Sequence, residues 1–237
     1  SNSIVWTTNA IGTFVANVIV TDSANTPETT NSVYSSNIVV NPALSVSISP
    51  TSNTLDADQT LSLTTTVSGG TPNFGIAYSG NGLCGTLSAV SNTLTSDGSN
   101  TIIFTPNSEI TSTCTANIMV SVTDSASTNS IVSENSILTV NPALGIPSIT
   151  SPAAANTLDE GQSITISASV SGGTAPYTYE FIVSNEINPS NIIAEFTENS
   201  VSSTSNSIVW TSNAIGTFVA NVIVTDSANT PETTNSV

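Results

Sequence analysis

This sequence predicts an all-β fold of tandem two-sheet sandwiches, about seven strands each and without significant helix. Three observations lead there. Apolar residues alternate with Ser, Thr and Asn along much of the chain, the period of a half-buried strand. Gly- and Pro-bearing turns punctuate it about every 8 to 12 residues. The same phrases also return at a near-constant interval. "NPAL" stands at 41–44 and 141–144, "SGGT" at 68–71 and 171–174, "NTLDADQ" at 53–59 against "NTLDEGQ" at 156–162, and "VTDSA" starts at Val20, Val122 and Val224. The interval is 100 to 103 residues and the order never changes, so each repeat is a unit of about 100 residues, the size of an immunoglobulin-like sandwich.

The central unit, 42–141, reads as complete. "LSVSIS" (44–49) alternates, and "QTLSLTTTV" (59–67) puts Leu61, Leu63, Thr65 and Val67 on one face. After the turn "SGGTPN" come "FGIAYS" (74–79), "LCGTLSAV" (83–90) and "TIIFT" (101–105). "CTANIMVSV" (114–122) aligns Cys114, Ala116, Ile118, Val120 and Val122, and "SIVSENSILTV" (130–140) closes the unit. In the third unit, 142–237, the strands are "QSITISASV" (162–170), "YTYEFIVS" (177–184), "NIIAEFT" (191–197), "NSIVW" (206–210) and "TFVANVIV" (217–224). Residues 1–33 and 205–237 are the same text but for Thr8 against Ser212. In the first copy the text runs on through "YSSNIVVNPAL" (34–44). Residues 1–41 therefore read as the C-terminal strands of an incomplete unit, and 142–237 as a unit lacking its last strand. The chain begins in mid-pattern, so more is expected to precede it.

Composition narrows the function classes. The chain has no Lys, Arg or His and 16 acidic residues. Nucleic-acid binding needs Lys and Arg on phosphates, and a polybasic membrane patch needs the same residues, so neither partner is expected. No Ser-His-Asp or Cys-His set can form, and no Lys can make a Schiff base or a Lys–Asn crosslink. Below the ordinary carboxyl range of about 3.9 to 4.3 the chain approaches neutrality without becoming a polycation. It thus avoids the self-repulsion that drives acid unfolding, which suits an acidic extracellular setting and an acid-stable protein. No run of about 20 apolar residues is present, so no membrane insertion is expected in this segment, and no signal peptide is visible.

No catalytic set, cofactor site or metal site emerges. Cys84 and Cys114 are an even pair in a secreted-looking chain and are expected to form a disulfide; the third unit has no counterpart, so the bridge belongs to one unit only. Asp56 and Asp58 in "LDADQ", with Asp159 and Glu160 in "LDEGQ", are the densest acidic points. Calcium would want clustered carboxylate and carbonyl oxygens, but Asp also favours turns, and the turn is the reading taken. Asp22, Asp124 and Asp226 in "VTDSA" are expected to accept backbone N–H groups after a strand. Trp6 and Trp210 are equivalent and read as core residues rather than sugar platforms. Tyr177 and Tyr179 read as strand residues with one face buried. Among 27 Asn residues no Asn-x-Ser/Thr acceptor with a non-Pro middle residue occurs, which leaves surfaces free of N-glycans for lateral packing.

On "NTLDEGQSITISASVSGGTAPYTYEF" and "VANVIVTDSA" the chain resembles the immunoglobulin-like and PKD-like tandem repeats of microbial, especially archaeal, cell-surface proteins. The resemblance extends over essentially the whole chain. It implies a stalk, adhesin, surface-layer or filament role. The expectation is a non-enzymatic, extracellular filament or surface fibre. Its partner is itself, adjacent copies completing one another by covalent continuation or donor-strand exchange. The alternative is an adhesin that binds carbohydrate or another cell; an enzyme-accessory module is a weaker third.

Overall fold

The computed structural model describes residues 2–7, 10–80, 84–126, 131–228 and 230–236. Leu83 and Ser130, the first residues of two expected strands, lie outside them. The N-terminal segment holds β1 (Gly12–Phe14), β2 (Asn17–Val18), β3 (Val33–Tyr34) and β4 (Ile38–Val40). The central repeat holds β5 (Ser45–Ser49), β6 (Ser52–Asp56), β7 (Leu61–Ser68), β8 (Phe74–Ser79), β9 (Gly85–Leu87), β10 (Ser91–Leu94), β11 (Gly98–Pro106), β12 (Cys114–Thr123) and β13 (Ile131–Asn141). The third repeat holds β14 (Ser148–Ser151), β15 (Ser163–Ser169), β16 (Tyr177–Asn185), β17 (Ile192–Val201), β18 (Ser205–Thr211), β19 (Phe218–Thr225) and β20 (Thr233–Asn235). Among the described residues there is no α-helix.

In the central repeat a four-stranded sheet, β5-β7-β11-β9, packs on a five-stranded one, β10-β8-β12-β13-β6. All pairings are antiparallel except β13 with β6. This is an immunoglobulin-like sandwich. The period-2 alternation decides what it buries. Leu61, Leu63, Thr65 and Val67 of β7 face inward, as do Ala116, Ile118, Val120 and Val122 of β12. A buried hydroxyl pair is satisfied inside: Tyr78 donates to Thr65 Oγ1 at 2.9 Å, and Asn100 donates to the Tyr78 oxygen at 2.9 Å.

Two strands depart from the sequence reading. The sequence reading places no strand over 52–56, only the turn of "LDADQ" (55–59), yet β6 forms there. The free edge of β13 recruits it in parallel register, Leu138 beside Asn53 and Val140 beside Leu55. The expected strand 83–90 is short, β9 only. The chain then crosses between sheets, and β10 pairs with β8 instead.

The third repeat follows the same plan with β14-β15-β18 against β17-β16-β19-β20. Its core is Ile166, Ala168, Tyr179, Phe181, Val222 and Val224. Solvent-facing positions carry hydroxyl pairs across strands where other proteins carry ion pairs. Thr64–Thr101 and Thr66–Ser99 are both 3.0 Å apart, Ser121–Ser133 2.9 Å and Ser163–Thr211 2.8 Å. Such cross-strand pairs contribute roughly 0.2–1 kcal/mol each and do not respond to pH or salt.

Phe104 is fully buried at the centre of the central sandwich. Phe104→Ala is expected to lower that repeat's stability by about 3–5 kcal/mol, read as a shifted denaturant midpoint.

Candidate functional site

Two features stand out from the sandwiches: the joint between repeats, and a shared text that is buried in one copy and exposed in the other. The joint is built from the recurring phrases. In each "NPAL" linker the Pro carbonyl accepts the second "SGGT" glycine N–H, Pro42 from Gly70 at 2.7 Å and Pro142 from Gly173 at 2.8 Å. The first glycine lies under the next linker carbonyl. A Cβ on Gly69 would come 2.2 Å from the Ala43 oxygen, and one on Gly172 2.0 Å from the Ala143 oxygen. Both have φ near +70°, at +69° and +67°, a region glycine enters without steric cost. The linker Asn then donates to the loop Thr, Asn41 to Thr71 at 3.1 Å and Asn141 to Thr174 at 2.8 Å.

At the joint of the central and third repeats an acid from the "LDADQ" phrase enters this network. The phrase is a turn, as expected: Gln59 Oε1 accepts the Asp56 N–H at 3.2 Å, and the Gln59 N–H donates to the Asp56 carbonyl at 3.1 Å. Asp159 and Gln162 repeat the closure at 2.9 and 3.0 Å. Asp56 does not stay on the surface, though. Its side chain is fully buried. Thr174 Oγ1 donates to its Oδ1 at 2.7 Å, and the Asp226 carboxyl faces it as a hydrogen-bond partner. Asp226 holds its own loop as the sequence predicts, accepting from Thr174 N at 2.9 Å, Glu232 N at 2.8 Å and Ala228 N at 3.4 Å. Asp22 and Asp124 act alike, accepting from Glu28 N at 2.8 Å and Thr71 N at 3.1 Å. Gln59 Nε2 reaches across to the Thr230 carbonyl at 2.6 Å and Glu232 Oε1 at 3.2 Å.

Burial, then the Asp226 carboxyl beside it, pushes the Asp56 pKa up to about 8, against the Thr174 hydrogen bond. Glu232 is pushed up to about 7 by burial and then by the Asp58 carboxyl. For Asp226 burial pushes upward, but the hydrogen bonds from Asp56 and from the Glu232, Thr174 and Ala228 backbones outweigh it, and its pKa is lowered. Tyr179 is raised to about 12 by burial and by neighbouring Tyr177. Glu160 stays exposed and takes no part. Among the described residues no group of three or more acidic or thiol side chains is placed to hold a metal ion. The meeting of Asp56 with Asp226 escaped sequence reading. Its only signal is that both belong to recurring phrases.

The second feature is the exposure of the shared text. The shared text of 1–33 and 205–237 occupies two environments. In the third repeat Trp210 is 8% exposed, and Val222 and Val224 are fully buried; in the N-terminal segment Trp6 is 49% exposed, Val18 59% and Val20 56%. One contact is nonetheless preserved: Trp6 is edge-on to Phe14 and Trp210 edge-on to Phe218, both at 5.2 Å. Beside β19 runs a groove of about 530 Å³ walled by Ala155, Leu158, Ile164, Trp210, Ile215 and Phe218. In the central repeat the corresponding place is filled: Leu138 lies beside Ala116 and Val140 beside Cys114. In the N-terminal segment Ile38 lies beside Phe14 and Val40 beside Gly12.

Cys84 and Cys114 form a disulfide with Cα atoms 5.8 Å apart, tying the start of β12 to the region before β9. Tyr177 and Tyr179 face the core with Phe181. No helix among the described residues is long and apolar enough to cross a membrane.

No family model matches the chain, and no curated protein does. Solved structures overlay it loosely. The YadV chaperone aligns at 10% identity and TM-score 0.36 over 81% of this chain and 98% of its own. The D0–D1 domain of intimin aligns at 15% and 0.29 over 81% and 96%, and titin domains z1z2, solved in complex with telethonin, at 12% and 0.32 over 80% and 93%. The immunoglobulin-like assignment rests on the sheets themselves.

The disulfide closes a separation of 30 residues, for which the chain-entropy relation gives about 3–4 kcal/mol. Reduction is expected to lower the denaturant midpoint of the central repeat and leave that of the third unmoved. Gly172→Ala is expected to cost more than about 1 kcal/mol, read in the third repeat's unfolding transition, since no L side chain fits under the Ala143 carbonyl.

Proposed function

We propose that this chain is a non-enzymatic structural element of an extracellular filament or surface fibre. Its units are 1–41, 42–141 and 142–237, and its incomplete units are completed by strands of its own sequence, through covalent continuation or through exchange with adjacent copies. One observation carries this reading: the same text is buried against a sandwich in the third repeat and uncovered in the N-terminal segment. Each Val or Ile so covered contributes roughly 1.5–3 kcal/mol, enough for several such side chains to drive association. The groove beside β19 supports the complementary half, because the strand found in that place elsewhere in the chain has the sequence of residues 34–40 or of β13.

The disulfide suits an oxidising, extracellular compartment. Hydroxyl ladders and the lack of bases suit an acidic one. The resemblance to PKD-like repeats of archaeal surface proteins fits the same setting. An adhesin would present an aromatic cluster for a sugar or another cell. The exposed Trp6 is better explained as a core residue awaiting its sandwich, because Trp210 is that residue in place.

Light scattering and negative-stain imaging of the purified chain test the reading. Concentration-dependent oligomers or fibres are expected, and Val20→Asp is expected to abolish them while leaving the central repeat's unfolding midpoint unchanged. A chain that stays monomeric at every concentration, and binds no peptide spanning residues 33–41, would sink it.

A further inference from the structure

The joint between the central and third repeats has an unusual electrostatic problem. Asp56 is fully buried, and with both acids ionised its Oδ2 has no hydrogen-bond donor. Buried carboxylates are ordinarily neutralised by a base or held by donors. This chain has no Lys, Arg or His to offer. The groups around the pair make matters worse: Glu232 and Tyr177 face it from the third repeat, Asp58 of the central side faces Glu232, and the other neighbours, Thr174 and Gln59, are neutral.

We propose that Asp56 and Asp226 share a single proton across this joint, so that the proton is the ligand that couples the two repeats. The roles are unequal. Asp226 is the acceptor, since three backbone N–H groups already hold it as a carboxylate. Asp56 is the donor, since its Oδ1 is occupied by the Thr174 hydroxyl and its Oδ2 is the atom without a donor. One proton on Oδ2 satisfies both acids and leaves the pair with one negative charge. Two like charges in contact cannot both ionise without strong mutual cost.

The sign of the pH response follows. In an opened joint both acids regain ordinary pKa values of about 3.9. Between that value and about 8, the closed joint keeps a proton that the open one has released, so closure weakens as pH rises. Glu232, raised to about 7, acts in the same direction. Below the ordinary range the open joint takes up two protons while the closed joint, with Asp226 held low, takes up one. Closure therefore weakens again as pH falls, and the coupling is tightest near pH 4. The donor phrase recurs at Asp159 and the acceptor residues at Thr71 and Asp124, so each repeat encodes the parts of the same coupling.

Carboxyl-carbon NMR titration of the full chain, at concentrations where it is monomeric, reads the proton directly. Small-angle scattering on the same samples reads the angle and spread between repeats. Asp56 is expected to titrate near pH 8, about 10⁴-fold tighter for its proton than an ordinary Asp, with Asp226 below its ordinary range. The envelope is expected to be most compact near pH 4 and to broaden towards pH 9. Asp56→Asn supplies a permanent donor in place of the proton and is expected to keep the compact envelope at pH 9. An ordinary titration of Asp56, an envelope unchanged from pH 4 to 9, or an Asp56→Asn chain that broadens as the parent does would each overturn the proposal. So would closure at pH 8 by added calcium alone, which would make the occupant a metal ion.

Discussion

No side chain in this protein carries a positive charge at any working pH, and the rest of the structure is arranged around that constraint. Every carboxylate must find hydrogen-bond donors on backbone or hydroxyl groups, remain in water, or keep a proton. Asp22, Asp124 and Asp226 take the first course, each closing a loop with backbone N–H groups. Glu160 takes the second. Asp56 is buried where neither course suffices. Sheet surfaces that would ordinarily be laced with ion pairs carry Thr and Ser ladders instead, and these tolerate changes of pH and salt that would dissolve salt bridges.

The same economy shapes the joint. Without charged pairs to fix one repeat against the next, the chain relies on close backbone approach. The two glycines of "SGGT" let the "NPAL" carbonyls sit where any Cβ would collide, and Pro fixes φ at the start of the linker. The side-chain relay from Asn141 through Thr174 to Asp56 then spans linker, loop and neighbouring repeat. Close backbone approach and hydrogen bonds together hold this joint.

The two copies of one text place the same residues in two environments. Trp210, Val222 and Val224 show what these residues do when β15 and β16 lie against them. Trp6, Val18 and Val20 show the same residues without that cover. The Trp–Phe ring contact is kept in both places. Residues 2–7 form no strand where the same text makes β18, and β1 and β2 are short where it makes β19, so the longer strands accompany the burial.

Period-2 alternation, glycine turns and a repeat near 100 residues were enough for the sequence alone to determine the sandwich class, the inward faces of β7 and β12 and the shared plan of the repeats, because strand faces depend only on neighbours two residues apart. The loop role of the "VTDSA" aspartates and the pairing of Cys84 with Cys114 were legible for similar reasons: a polar residue ends a strand, and an even pair of cysteines has one partner each. Tertiary structure alone decided that 52–56 becomes a strand, because the free edge of β13 recruits it. It also decided that the chain changes sheets after β9, a matter of which edge is open. And it decided that Asp56, 170 residues before Asp226 in the chain, meets it in a buried joint: local pattern sets where a side chain points along its own strand, but only packing between repeats sets what it points at.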